Sequence, residues 1–390
     1  MDFTYTDEQL AYRDTARQFA AKELAPHAAE WDVKEEFPRA ALRRAGELGF
    51  CGLYTPEDVG GLGLSRLDAS IIFEELARGC TSTTAFLTIH NMAVWMVASF
   101  GTETAKADIC PELVSGAKLA SYCLTEPDAG SDAAALKTTA RKTDGGYLLT
   151  GTKAFISGAG DTEVLVVMAR LEDDRGVRPG AKGICAFAVD ASTPGISFGR
   201  KEAKMGWNSQ ATRQVVFEAA FVPEEHRLGA EGDGFKIAMQ GLDGGRINIA
   251  TCSVGTAQAA LEQARKYLRE RKAFGQVIGT FQGLQFMLAD MATNLVASRQ
   301  MVHLAAWKLD NKDPDATTFC AMAKRFATDM CFDVCNDALQ LHGGYGYIKD
   351  YPLERYVRDT RVHQILEGTN EIMRVIIARR LLIEDAAEVL

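Results

Sequence analysis

The sequence predicts a mainly α-helical protein interrupted by a central β-domain. Three observations predict it: helical periodicity fills the first part of the 390-residue chain, short β-branched runs fill the middle, and long helical stretches return after Gly234. No Gly/Ser-rich or Pro-rich linker separates these parts. They are expected to pack on one another as an N-terminal helical domain (1–120), a middle β-domain (121–230) and a C-terminal helical domain (231–390).

The first region opens with Thr6, which can cap a helix, and with Asp7 and Glu8, whose charges suit a helix N-terminus; Pro26 supplies a stop. In the middle, the runs Val164 to Met168, Ile184 to Val189 and Val215 to Phe217 read as strands. Gly145-Gly146, Gly158, Asp161 and Pro194-Gly195 punctuate them as turns. The last region reads as helices over Gly255 to Arg271, Gln282 to Leu309 and Ala316 to Leu341, with breaks near Gly275 to Thr280 and Asn311 to Pro314.

Composition removes several classes of function. With 43 Lys plus Arg against 52 Asp plus Glu, the net charge of −9 disfavours nucleic acid and anionic membranes, so an anionic ligand needs local cations. The most apolar stretch, Met92 to Phe100, falls far short of the roughly 20 residues that span a bilayer. The acidic start Met-Asp-Phe-Thr-Tyr-Thr-Asp-Glu lacks the marks of a signal or transit peptide, which suggests a cytoplasmic bacterial protein, or a mitochondrial matrix protein if the chain is a processed form. The nine cysteines are scattered and form no CxxC cluster, so reduced, buried thiols are expected. The six histidines show no HExxH and no metal is expected; a Rossmann GxGxxG and a P-loop are absent too.

Three segments could carry chemistry. Tyr122-Cys-Leu124-Thr125-Glu-Pro-Asp-Ala-Gly-Ser131-Asp132 is dense in small and hydroxylic residues, and by itself is equally an ordinary polar loop. In Gly151-Thr-Lys-Ala-Phe155-Ile-Ser157-Gly158, an aromatic ring and a hydroxyl two residues apart face one side of an extended strand; a flat ring ligand or a plain core aromatic would explain them. In Gln340-Leu-His-Gly343-Gly344-Tyr-Gly346-Tyr, three glycines in four residues exceed what a helix cap needs and suggest backbone close to a ligand.

Together and in this order, these segments resemble the acyl-CoA dehydrogenase family. Cys123 to Ala135 and Gln340 to Asp359 resemble its two signature motifs. The likeness extends through Lys204-Met-Gly-Trp207, Glu270-Arg271-Lys-Ala-Phe274-Gly275 and Ile365-Leu-Glu367-Gly368-Thr369, and so covers essentially the whole chain. The resemblance implies an N-terminal helical domain, a β-barrel-like middle domain and a C-terminal four-helix bundle, with FAD between the β-domain and the helices. It implies that Thr125, flanked by Tyr122 and Leu124, bonds the flavin ring, that Phe155 replaces an aromatic usually found as Trp, and that the Ser157 hydroxyl faces flavin N5. Thr369 falls in the cofactor site as well. Arg271, Phe274, Gln282, Gln340 and Gly344 resemble positions that hold the FAD pyrophosphate and adenosine, largely from a neighbouring subunit, which implies a homotetramer built as a dimer of dimers. Arg suits such a diphosphate because its planar fork matches phosphate oxygens.

By the same resemblance Glu367 is the general base that removes the α-proton of an acyl-CoA thioester, and its own N–H with a flavin ribityl hydroxyl holds the enolate charge. Read from the residues alone, it is a glutamate before a helix. Ser131, Asp243, Gly245, Arg246 and Gly368 are expected along the acyl-CoA. Some relatives carry the base at the position of Gly245, so here no second carboxylate competes. Adjacent glycines in a helix cost about 1 kcal/mol each relative to Ala, so Gly244-Gly245 is expected to make room for ligand. Gly241 to Ala250, Gly206 to Gln210 and Gln340 to Tyr347 look most like family members acting on isobutyryl-CoA in valine breakdown, with electrons passed to an electron-transfer flavoprotein. The alternatives are another short acyl-CoA, 2-methylbutyryl or butyryl, or an oxidase. Typical oxidases of this fold carry an extra C-terminal domain, whereas this chain ends soon after Glu367.

Overall fold

The computed structural model describes residues 4–174 and 176–383. The N-terminal region comprises α1 (Asp7–Phe19), continued by a π-helical turn (Ala20–Leu24), then α2 (Ala28–Lys34), α3 (Arg39–Glu47), α4 (Arg66–Gly79), α5 (Thr81–Phe100) and α6 (Glu103–Val114). Thr6 caps α1 as expected, exchanging hydrogen bonds with Gln9. Helix α5 is buried almost all round, the mark of a helix at the centre of a domain. Its His90 accepts from Ala120 N–H and meets the Leu113 carbonyl, which joins α5 to α6 and to the first strand.

The middle region contains β1 (Ala120–Cys123), β2 (Thr139–Thr143), β3 (Gly146–Ser157), β4 (Val164–Asp173), β5 (Gly176–Val177), β6 (Ile184–Asp190), β7 (Ile196–Phe198), β8 (Thr212–Pro223) and β9 (Arg227–Leu228). The strand order is β7-β8-β3-β2-β4-β6-β9, with β1 and β5 paired to β4. The outermost strands β7 and β9 do not pair, so the sheet is open. The middle domain is thus the expected β-domain, without a closed barrel.

Strand β4 explains how the sheet is covered. Val164, Val166 and Met168 face the helices, where Met92, Val97 and Ile237 meet them, while Leu165, Val167, Ala169 and Leu171 face Phe187 and Phe217 in a second core. With both faces buried, the strand reads as a continuous apolar run.

The C-terminal region contains α7 (Gly234–Glu270), a small hairpin of β10 (Lys272–Ala273) and β11 (Gln276–Val277), α8 (Gln282–Asp310), α9 (Ala316–His342), α10 (Gly344–Tyr347), α11 (Leu353–Arg361) and α12 (Asn370–Ile383). Helices α7, α8 and α9 pack pairwise and α12 packs on α9. Small buried residues such as Ala257, Ala260, Ala305, Ala323 and Ala327 let their axes approach closely.

The regions lock through shared polar groups. Arg358 of α11 binds Asp32 of α2 through both carboxylate oxygens, and Asn208 from the β-region donates to the same Asp32. Trp207 N–H donates to the buried Asp359 at 2.7 Å, and a Cβ at Gly206 would collide with the Arg358 carbonyl. All nine cysteines are buried free thiols. Among the described residues no acid, His and Cys cluster could hold a metal, and no helix is long and apolar enough to cross a membrane.

Inside the β-region, Lys153 is fully buried. Its Nζ donates to Glu126 at 2.7 Å and to the Leu124 carbonyl at 3.1 Å, while Ala154 N–H donates to the Thr125 carbonyl. Burial opposes ionisation of Glu126, but Lys153 and the N–H groups of Lys137 and Thr138 outweigh it and hold the carboxyl below its ordinary range. Lys153→Met strands that carboxylate, so a stability loss of about 3–5 kcal/mol is expected, with partial recovery in the Lys153→Met/Glu126→Leu double variant. A urea midpoint unchanged in the single variant would contradict this.

Candidate active site

Glu367 stands in a short loop between a 3-10 turn (Val362–Gln364) and α12, with φ of 54°, followed by Gly368 at 87°. A left-handed backbone is unfavourable for a residue with a Cβ, so the surroundings must hold it. The capping of α12 falls to Thr369, whose Oγ1 accepts from Ile372 N–H at 3.3 Å. Glu367 Oε2 is buried without a hydrogen-bond partner among the described residues, and the Glu367 N–H has none there either. Burial pushes the carboxyl up to about 7, opposed by the positive charges of Arg246 and Lys324.

The carboxylate lies against α7, where the glycine pair plays a different part from the expected one. A Cβ at Gly245 would overlap Glu367 Oε2, and one at Gly244 would overlap the Arg66 guanidinium. The bare backbone makes room for the Glu367 carboxylate and for an arginine of α4. Beside them Arg246 Nη1 binds Asp243 at 2.6 Å, and Asp243 accepts from Thr317 at 2.7 Å. These two residues are spoken for within the chain, although Arg246 Nε remains unpartnered.

The neighbouring walls come from distant parts of the sequence. The Arg66 guanidinium lies 3.5 Å over the Tyr54 ring and 5.2 Å from the Trp95 ring, and its buried Nη1 has no partner. Tyr54 Oη accepts from Asn248 of α7 at 3.1 Å. The Tyr122 hydroxyl is also buried and unpartnered; burial first, and the Glu367 charge second, hold it well above the ordinary tyrosine range. Beneath the loop Lys324 of α9 donates to the Gly368 carbonyl at 2.7 Å.

A second group lies on the β-region. Leu124 is buried and Thr125 partly so, next to β3. Phe155 breaks the regular alternation of that strand: its φ is 58°, the β3–β8 register shifts between Lys153 and Ile156, and the residue is 69% exposed. Strict alternation therefore does not put Phe155 and Ser157 on one side; a bulge turns the Phe155 ring outward. Ser157 is partly buried, and its carbonyl accepts from Ser121 Oγ at 2.7 Å. Ser131 is exposed in the loop before β2.

The third group is a cleft of about 520 Å³ lined by Tyr267, Arg271, Gln340, Gly343, Gly344 and Tyr345. Arg271 lies 5.5 Å from the Tyr345 ring, and open space faces both Gly343 and Gly344. Gly343 has φ of 58° and ψ of −136°, a conformation that favours glycine. Phe274, at the hairpin tip, is 93% exposed, and Gln282 opens α8 at the surface. An exposed aromatic, a solvent-facing arginine and an open glycine cradle fit a ligand with flat rings and phosphates. The cleft shares no residue with the cluster around Glu367.

Sequence reasoning missed Tyr54, Arg66 and Lys324. For Lys324 a signal existed: Lys324 and Thr328 stand one helical turn apart on the face of α9 that also carries Ala327 and Cys331, all buried. For Arg66, after the cap Ser65, nothing distinguished it from an exposed first-turn residue.

Family models for the acyl-CoA dehydrogenase N-terminal, middle and C-terminal domains match residues 6–117, 121–220 and 232–382. The chain is 56% identical over 379 residues to the mitochondrial isobutyryl-CoA dehydrogenase of Bos taurus, and 54% identical over 380 residues to that of Dictyostelium discoideum. Each alignment spans 97% of this chain and 90% of the relative. The butyryl-CoA dehydrogenase structure from Megasphaera elsdenii superposes with a TM-score of 0.93 at 39% identity, covering 98% of this chain and 100% of that one. The chain therefore belongs to the acyl-CoA dehydrogenase family.

Proposed function

We propose that this protein dehydrogenates short branched acyl-CoA thioesters between the α and β carbons, with isobutyryl-CoA to methacrylyl-CoA in valine breakdown as its main reaction and an electron-transfer flavoprotein as its acceptor. The observation that carries the reading is Glu367: a desolvated carboxylate in a left-handed backbone, with an unpartnered oxygen. The likeness to two isobutyryl-CoA dehydrogenases supports the substrate, and family membership supports the acceptor. The location that goes with this reading is the bacterial cytoplasm, or the mitochondrial matrix; the two relatives are named as mitochondrial.

FAD, when bound, supplies the acceptor for the β-hydrogen. Arg271, Gln340, Gly344, Gln282 and Phe274 would hold its diphosphate and adenosine, and Thr125, Ser157, Phe155, Tyr122, Leu124 and Thr369 its ring end. The first of these groups stands apart from the Glu367 cluster, and Phe274, Tyr347 and Leu382 are 93%, 81% and 84% exposed. Both facts favour a homotetramer in which one subunit completes its neighbour's cofactor site.

The chain's own residues then divide the work. Ser131, Gly368 and the Asp243-Arg246 pair would orient the thioester arm. Glu367 takes the α-proton on a carboxylate oxygen, and its free N–H is available to the thioester oxygen as charge develops there. Exclusion of water keeps the carboxylate basic: burial raises the proton affinity of the group that must accept the proton.

With anaerobic flavin bleaching as readout, isobutyryl-CoA should give the highest kcat/KM, 2-methylbutyryl-CoA and butyryl-CoA lower values, and octanoyl-CoA the lowest. A preference for octanoyl-CoA would remove the substrate assignment and leave the reaction class. Fast reoxidation by air after bleaching would point instead to an oxidase.

Glu367→Gln should retain flavin and bind acyl-CoA while losing at least about a thousandfold in kcat, since an amide cannot accept the proton. In the wild type the raised carboxyl means that the base is protonated below about pH 7. Thus kcat/KM should climb as pH rises through that value and then level; a flat profile between mildly acidic and alkaline buffer would contradict it.

Gly245→Ala pushes its new methyl group against the base and not against the acyl branch. It should lower kcat for isobutyryl-CoA and butyryl-CoA by a similar factor, about 10- to 100-fold, because small displacements of a catalytic group are costly. A loss confined to the branched substrate would show that the methyl group meets the substrate.

A further inference from the structure

The loop that carries Glu367 is pinned to one helix at both ends. On its N-terminal side Gln364 donates to Asp329 of α9 at 2.9 Å; on its C-terminal side the buried Asn370 donates to the same Asp329 at 2.7 Å and to Thr328 at 2.9 Å. Between these ties Lys324, one helical turn before Thr328 and fully buried, donates to the Gly368 carbonyl at 2.7 Å and to Asn370 Oδ1 at 2.8 Å. The two left-handed residues, Glu367 and Gly368, lie within this span.

We propose that Lys324 is a positioning residue for the base: its side chain fixes the Glu367-Gly368 turn from beneath, and its charge faces the carboxylate across that turn. The proposal rests on the reading of Glu367 as the base. A buried lysine is an expensive way to satisfy two oxygens, since a neutral donor would do so without desolvating an ammonium. The geometry therefore asks what the charge contributes. Its contribution is electrostatic support for an anion that is itself stripped of water.

The groups facing the pair are few, and their signs can be followed. From α7 comes Arg246, whose charge is partly balanced by Asp243; from α9, Asp329; from α12, Glu371. Tyr54 and Tyr122 face Glu367 as neutral phenols, with Arg66 stacked on Tyr54. His363 in the preceding turn is held neutral, its value lowered to about 3 by burial and then by Lys324. Burial lowers Lys324 itself to about 7, opposed by Glu367, Asp329 and Glu371. Lys324 and Arg246 are thus the cations that favour the ionised base, and Arg246 already serves Asp243. Removing the Lys324 charge leaves burial less opposed, so the Glu367 carboxyl moves further up and the base is protonated at neutral pH.

The test compares Lys324→Gln, which keeps a donor and removes the charge, with Lys324→Met, which removes both, each as the flavin-loaded full chain beside Glu367→Gln. In Lys324→Gln the acidic limb of kcat/KM should move up by about one pH unit, a roughly tenfold loss at neutral pH that recovers in alkaline buffer, with KM little altered. The infrared band of the protonated carboxyl, identified by its absence from Glu367→Gln, should persist to correspondingly higher pH in the protein without substrate. Lys324→Met should show the same shift and an added loss of kcat that alkaline pH does not restore. If Lys324→Met fails to fold, Lys324→Gln decides alone. A wild-type limb and band in Lys324→Gln, or a uniform loss at every pH, would overturn the proposal while leaving the base intact. Full turnover in Glu367→Gln would overturn the base reading itself, and this proposal with it.

Discussion

The structure turns on one conflict: the Glu367 carboxyl is stripped of water, which opposes its charge, while the cations beside it favour ionisation. Each unit of pKa is worth about 1.4 kcal/mol between its two protonation states, so surroundings that raise it to about 7 have spent a few kcal/mol against the charged form. Complete burial with no counter-charge would raise it further still. Arg246 and Lys324 set the balance, and each is in turn restrained: Arg246 by Asp243, Lys324 by the carbonyl of Gly368 and the side chain of Asn370.

That balance depends on contacts made far along the chain, which is why the three regions cannot be separated from the site. The Glu367 loop follows directly from α11 and the 3-10 turn, and α11 is anchored by the Arg358 to Asp32 pair and by Trp207 donating to Asp359. The turn itself is held by His363, whose Nε2 accepts from Trp207 Nε1 while Nδ1 meets the Ser253 hydroxyl of α7. Asp32 of the N-terminal helices, Trp207 of the β-region and Ser253 of α7 thereby fix where the turn begins, and α9 fixes where it ends. Glu367 sits at their convergence.

Much of this fold was legible because its signals are local. Helix α9 was read as Ala316 to Leu341 and runs from Ala316 to His342, since helical period and flanking breaks are both written in the sequence. The openness of the β-region was not legible: strand runs reveal which segments are extended, not whether the outer two meet. The outward turn of Phe155 depends on a bulge set by the partner strand β8, and so has no signature of its own. For Gly244 and Gly245 the helix-weakening cost was readable, but what fills the space was not, because Arg66 and Glu367 arrive from 178 residues before Gly244 and 122 residues after Gly245. For Lys324 the buried face of α9 was readable but its partners were not, because Gly368 and Asn370 lie 44 and 46 residues further along the chain and a lysine is almost never fully buried unless paired.

The hardest distinction concerned Glu367, for which an ordinary explanation was available: an acidic residue just ahead of a helix favours the helix dipole. The structure assigns that structural work elsewhere. Thr369 caps α12, and Asn370 ties the helix start to α9. Glu367 is left with a backbone conformation unfavourable to its Cβ, a desolvated carboxyl and an oxygen without a hydrogen bond. None of these stabilises the fold, and a glycine pair on the facing helix accommodates the carboxylate at a further cost to helix stability. A residue that is destabilising on so many counts is held in place by its neighbours, and strain of that kind points to function, which is what the role proposed for Glu367 would explain.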